Sequence, residues 1–153
     1  MTKSDDAYRC FMSRFTCSAA VFSAFSDELG LDPEMAKKIA CGFGAGVSKT
    51  GNICGAVSGA IMVIGLKYGK TEAGDDAATE KTRAVTRQFI HEFEERNGSV
   101  QCTELLGYDL NDPAAYASAQ KSGIFMTKCP ALVRDAADIL EKILSTGSEQ
   151  WKQ

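Results

Sequence analysis

Residues 41–69 read CGFGAGVSKTGNICGAVSGAIMVIGLKYG, and the choice among folds turns on this stretch. It holds eight of the fourteen glycines and two of the six cysteines, with no aspartate, glutamate or proline. Its apolar core, Ile53 to Leu66, is fourteen residues with three glycines. A bilayer span needs roughly 18 to 20 apolar residues, so membrane insertion is not expected. GAGVSKT ends in Lys49-Thr50, but a Walker A loop would need glycine at both Phe43 and Ser48. A dinucleotide fingerprint fails as well. Gly42, Gly44 and Gly46 are spaced G-x-G-x-G and follow PEMAKKIA, a helical pattern rather than a strand.

Working outward, the 153 residues are 44% apolar and contain no long low-complexity run, which fits one domain with a real core. Residues 1–147 are expected to form a single helical domain and 148–153 a C-terminal tail. The formal net charge is −3, and lysine and arginine are scattered, so nucleic acid finds no basic footprint. The start, MTKSDDAYRC, carries acidic residues where a signal peptide needs a basic flank and an apolar run, and a cytoplasmic protein is expected. In a reducing compartment six cysteines suit buried thiols, metal ligands or redox chemistry better than permanent disulfides, and the Asn97-Gly98-Ser99 sequon carries no meaning.

The chain reads as helices throughout, with no convincing strand, so an all-α fold is expected, with a glycine-rich turn before a central apolar helix. Phe11, Phe15, Phe22, Phe25 and Leu29 recur at three-, four- and seven-residue intervals, one face of a single helix that Gly30 can end. Asp32-Pro33 restarts a helix as N-cap and first residue, and Met35, Ile39 and Phe43 continue its buried stripe up to Cys41-Gly42. A third helix begins near Asn52. Gly51, Gly55 and Gly59 fall four apart and leave one face nearly without side chains, which permits tight helix packing, room for a cofactor, or both. Asp75 to Arg96 reads as a long polar helix carrying Val85, Phe89 and Phe93, stopped by Asn97-Gly98. SVQCTELLG is a short helical turn. Asp112-Pro113 and Cys129-Pro130 look like two more helix starts, the last with Leu132, Ala136, Ile139, Leu140 and Ile143 inward.

On this scaffold Cys54 falls in the first turn of the third helix, Cys102 follows a Ser99 cap, and Cys129 stands directly before Pro130. The helix dipole and free amides at such positions favour a thiolate, the form that attacks disulfides or binds metal. Against this stands the habit of free cysteine to be buried as a small hydrophobe, which is the preferred reading for Cys10. Cys17, seven residues later on the same helix, and Cys41 suit either role. No pair is C-x-x-C. Twelve residues separate Cys41 from Cys54, forty-seven separate Cys54 from Cys102, and twenty-six separate Cys102 from Cys129. Any shared site must be assembled by the fold, which excludes a zinc ribbon or thioredoxin motif as a sequence reading.

CGAVSG at Cys54–Gly59, the preceding GFGAGVSKTG, the early cysteine with a helix ending DELGLD, and isolated cysteines at Cys102 and Cys129 resemble the redox-active family named for its C_GCAxxG_C_C pattern. The resemblance covers nearly the whole chain. The family label writes glycine before cysteine, whereas the order here is Cys54-Gly55-Ala56. Carried over, the four family cysteines fall on Cys17, Cys54, Cys102 and Cys129, with Cys41 competing with Cys17 for the first place and Gly55 beside the site. The resemblance implies a redox role without naming a substrate. Similar domains accompany haem modules in split-Soret-type cytochromes, where an iron–sulfur centre is associated with them, but this chain has no C-x-x-C-H haem site.

A cysteine-ligated iron–sulfur cluster and a dithiol/disulfide couple would use the same features, because helix-terminal amides hydrogen-bond sulfur in both. Zinc in the same place, or inert thiols in a helical binding module without redox turnover, are the other readings. Cys17, Cys54, Cys102 and Cys129 are thus the candidate catalytic and metal-ligating residues, and Cys41 and Gly55 join them as candidate cofactor contacts. A redox protein is the expected partner, and the glycine face with the apolar third helix could serve a homodimer. His91, the only histidine, reads as a solvated or helix-pairing residue, and HEFEERN as a solvent-facing run. Tyr68, Tyr108, Tyr116 and Trp151 read as packing or rim residues. Lys49 reads as an exposed loop lysine, with support of a thiolate or an anionic partner as its sharper role.

Overall fold

The computed structural model describes residues 1–146, and the expected tail 148–153, with Trp151, lies outside them. Among the described residues there are eight right-handed helices of at least five residues and no strand. The helices are α1 (Lys3–Met12), α2 (Cys17–Ser26), α3 (Pro33–Ala40), α4 (Gly55–Tyr68), α5 (Asp76–Asn97), α6 (Cys102–Leu106), α7 (Pro113–Ser122) and α8 (Cys129–Ser145). The all-α architecture and the central apolar helix α4 are therefore present, though α4 begins at Gly55 rather than near Asn52.

The single opening helix expected from the phenylalanine spacing is in fact two. Ser13 caps α1, its hydroxyl donating to the Arg9 carbonyl at 2.8 Å, and Arg14 turns left-handed at φ 74°. Thr16 then starts α2, its side-chain oxygen accepting the Ala19 amide at 3.1 Å. Cys10 and Cys17 consequently stand on different helices. Phe15 falls in the break and is exposed, with Lys37 Nζ 4.4 Å from its ring centre.

Helix α2 is the middle of the bundle. It buries Ala19, Ala20, Val21, Phe22 and Phe25 and packs against α1, α3, α4 and α8. In α3 the expected stripe is reversed. Met35 (48% exposed), Ile39 (49%) and Phe43 (38%) face outward, while Ala36 and Ala40 are buried. The reason is the close approach of α3 to α2, where the Ser18 hydroxyl donates to the Ala40 carbonyl at 2.7 Å and only alanine-sized side chains fit between the backbones.

The glycine face of α4 is used internally in the same way. A side chain at Gly59 would put Cβ 2.6 Å from the Ser18 carbonyl oxygen, so this face is occupied by α2 and is not open to a homodimer contact. Helix α5 lies across α4 and α8 and buries Val85, Phe89 and Phe93, with the Phe89 and Phe93 rings stacked at 6.0 Å. Helix α8 buries Leu132, Ala136, Ile139, Leu140 and Ile143, all as expected. The core therefore sits between α2, α4 and α8, closed by α1 and α5.

Candidate functional site

Four helix starts meet at one end of this core. Cys17 is the first residue of α2, Cys102 the first of α6, Cys129 the first of α8, and Cys54 is the N-cap of α4. The pairing of Cys54 with Cys102 comes from an isolated antiparallel bridge, Ile53 opposite Gln101. In it the Cys54 amide donates to the Val100 carbonyl at 2.8 Å and the Cys102 amide to the Asn52 carbonyl at 2.7 Å. Gln101 occupies the N-cap position of α6, whereas Ser99, expected there, instead accepts the Gln101 amide at 2.9 Å. Two short extended segments thus align the starts of α4 and α6.

All four cysteines line one cavity of about 350 Å³. Phe11, Leu106, Phe125 and Leu132 supply apolar walls, and Gly55 completes the floor beside Cys17. Cys54 and Cys102 are buried, and the accessible surface left on Cys17 and Cys129 opens onto this space. Cys41 is exposed on the 3-10 turn Cys41–Phe43 and does not line it, and Cys10, which contacts Ser23 at 3.7 Å, does not line it either. The structure therefore gathers Cys17, Cys54, Cys102 and Cys129 and leaves Cys41 and Cys10 apart.

The segment between α3 and α4 shapes the remaining wall by an unusual backbone. Ala45, Gly46, Val47, Ser48 and Lys49 all have φ between 52° and 70°, a left-handed turn of five residues. For residues other than glycine this conformation costs about 1–2 kcal/mol each. The surrounding bonds hold it. Ser48 Oγ donates to Gly42 O at 2.7 Å, Thr50 Oγ1 to Gly46 O at 2.7 Å, and the Asn52 amide to Gly46 O at 2.8 Å. Gly46 is needed here because a side chain would meet the Asn52 amide nitrogen at 2.7 Å and Cys102 Cβ at 2.8 Å. Strain of this kind gathers at functional sites. Its product here is an Ala45 amide aimed at the Cys17 sulfur.

Electrostatically the site is a mostly apolar pocket lined by sulfurs and backbone amides. Burial pushes the Cys17 thiol up, opposed by the Ala45, Ser18, Cys17 and Gly55 amides. Burial pushes Cys54 well up too, reinforced by Cys17 and Cys102 and opposed by the Ala56 and Val57 amides. Cys102 is pushed up to about 12 by burial and then by Cys17, and Cys129 to about 12 by burial and then by Cys17 and Cys102. The expectation that helix starts by themselves yield thiolates is thus corrected. The amides act in the expected direction, but loss of water outweighs them in the metal-free protein.

Among the described residues no three histidine, cysteine or acidic side chains converge closely enough to hold a single metal ion. All six cysteines are free.

The stretch 15–143 matches the protein family described as "Putative redox-active protein (C_GCAxxG_C_C)". The chain belongs to this family. The match begins in the α1–α2 break, so the C_GCAxxG_C_C region holds the four cavity cysteines and Cys41, while α1 and Cys10 lie outside it. No curated protein and no solved structure matches the chain. Among the described residues no helix is long and apolar enough to cross a membrane.

Sequence reasoning missed two contributors to this site. Thr16 makes Cys17 a helix start, and its position before a small, apolar run was a readable cap signal. Ala45 supplies an amide through a left-handed backbone that no local motif announces. Tyr116, read from the sequence as a packing or rim residue, lines the cavity beside Lys49, whose Nζ lies 4.3 Å from the tyrosine ring centre.

Proposed function

We propose that this protein is an electron-transfer protein in which Cys17, Cys54, Cys102 and Cys129 hold an iron–sulfur cluster. The observation that carries the reading is the convergence of four cysteines, each at a helix N-terminus, on a single apolar cavity. When bound, such a cluster supplies reversible one-electron transfer. The chain's own part is to ligate, to donate hydrogen bonds and to keep water out. The Ala45, Ser18 and Gly55 amides serve the Cys17 sulfur, and those of Ala56 and Val57 serve Cys54. Such bonds, with the positive ends of the helices, favour the added negative charge of the reduced state and raise its potential. The walls formed by Phe11, Leu106, Phe125 and Leu132 work the other way by lowering the dielectric.

The ligand set supports this group over the alternatives. A structural zinc ion needs its sulfurs about 2.3 Å from one centre, and no group of three candidate ligands suited to one ion is found among the described residues. A dithiol couple needs one reactive pair and leaves two further helix-start cysteines of the cavity without a role. The test is anaerobic purification followed by iron, acid-labile sulfide and zinc per chain, with the visible spectrum. Iron with sulfide is expected in the wild type and in Cys41→Ser, and their loss in Cys54→Ser. Stoichiometric zinc would establish the zinc-held module in its place, and a metal-free chain that reversibly loses two thiols on oxidation would establish the dithiol couple.

A further inference from the structure

A second, more polar pocket of about 410 Å³ lies against the cysteine cavity. Leu110, Asn111, Pro113, Ala117 and Gln120 line it, and three residues, Ser48, Lys49 and Tyr116, line both spaces. The partition between them is therefore the Lys49 ammonium lying on the Tyr116 ring, 4.3 Å from its centre. Tyr116 is in turn braced by Phe125 on the cavity side, the rings 5.4 Å apart.

We propose that the outer pocket is a binding site for a small organic anion, and that the Lys49–Tyr116 pair is the gate through which that anion reaches the sulfurs.

The charge pattern selects the ligand class. Among the described residues Lys49 is the one charged side chain lining either space, and it makes no ion pair. The nearest acidic residues in sequence are turned to their own backbone. Asp109 accepts the Asn111 amide at 3.1 Å and Asp112 the Ala115 amide at 3.3 Å, and neither lines the pocket. A lone cation between a polar vestibule and a mostly apolar cavity attracts anions and repels cations, and Asn111 and Gln120 can hydrogen-bond a carboxylate at the entrance. The pair is suited to opening. A cation–π contact at a partly exposed site is weak, Lys49 is exposed, and it ends the left-handed run, so movement about its side-chain torsions uncovers the ring without disturbing the helices.

The gate does not depend on what the cavity holds, and its test separates the two readings. The full chain is treated with iodoacetate and with iodoacetamide, reagents of similar size that differ in charge, and modification is followed at each cysteine by mass spectrometry. Exposed Cys41 is the internal control. If a bound centre masks the cavity thiols, its visible absorption is followed instead during oxidation by anionic ferricyanide and by cationic hexaammineruthenium(III). In the wild type the advantage of the anionic reagent at the cavity should shrink as salt is added. Lys49→Gln should lower the anion-to-comparison rate ratio at least about threefold, with Lys49→Arg restoring it and Cys41 unmoved. Tyr116→Ala should raise the iodoacetamide rate, or the rates with both oxidants. A cavity ratio insensitive to salt and to Lys49→Gln, or an equal change at Cys41, overturns the anion site. An unchanged rate in Tyr116→Ala overturns the gate. A zinc or metal-free result for the purified protein would remove the cluster reading and leave this one standing.

Discussion

Gly55 has no room for a side chain, because a Cβ there would strike the Cys17 sulfur and approach the Phe43 carbonyl oxygen to 3.1 Å. Ten residues further along α4, Gly65 has nothing within 4 Å of the same added atom. The two glycines therefore predict opposite outcomes for one substitution. Gly65→Ala should raise stability by about 0.5–1 kcal/mol, the usual gain in a helix interior. Gly55→Ala should lower it by about 1–3 kcal/mol through overpacking, and should also reduce the iron bound per chain. Urea unfolding of both variants, with metal analysis of the second, checks the pair. Equal stability changes would show that the α2–α4 contact yields more readily than its geometry indicates. At this scale the sequence was informative about residue type and silent about neighbours. Cys54, Cys102 and Cys129 were readable as helix starts from Pro130 and the flanking turns, whereas the separation of Cys17 from Cys41 required knowing which sulfur faces the others.

Elements are joined by few polar contacts, and the best defined is between α1 and α8. Arg134 Nη1 lies 3.0 Å from Asp5 Oδ1, and its guanidinium covers the Tyr8 ring at 4.1 Å. The Arg134 hydrogen bond, aided by those from Thr2, holds the Asp5 carboxyl down to about 2. A carboxyl depressed in the folded state contributes stability above its unfolded value, about 3.9, and loses it as pH falls through 2. Wild type should therefore have the higher urea midpoint against Asp5→Asn at pH 6, the gap closing between about pH 4 and 2. The pair is exposed, so the gap should be small and should narrow in high salt. A gap that ignores pH would mean that neither the Arg134 nor the Thr2 hydrogen bonds favour the ionised Asp5 carboxyl. The break between α1 and α2 belongs to the same scale. The regular phenylalanine spacing fitted one continuous helix, and only the left-handed Arg14 and the Thr16 cap divide it.

Across the whole molecule the cavity ties together α2, α4, α6 and α8, elements whose cysteines are up to 112 positions apart, from Cys17 to Cys129. A group ligated by all four would stabilise the fold through its binding energy. Anaerobic chelation should accordingly lower the melting temperature by several degrees in the wild type and in Cys41→Ser, and leave a metal-free Cys54→Ser variant unaffected. A melting temperature indifferent to chelation in the iron-loaded wild type would mean that the ligands are not shared among these helices. The same enclosure explains why the free thiols are pushed upward: the four sulfurs are largely withdrawn from water without a paired cation, and a bound metal centre would provide positive charge.

From sequence alone came the all-α class, the Asp32 and Asp112 helix starts, the buried faces of α5 and α8, and the family to which the chain belongs. These are local or patterned properties, since caps act over three residues and helix faces repeat every three or four. Tertiary structure alone decided that α3 turns its large side chains outward, that Cys17 rather than Cys41 meets the other three cysteines, and that Ala45 points an amide at sulfur. Those outcomes depend on backbones meeting across long loops, through the Ile53–Gln101 bridge, the Ser18–Ala40 bond and a strained left-handed turn. Contacts of that kind leave no period in the sequence, because each is set by how closely two distant segments can approach.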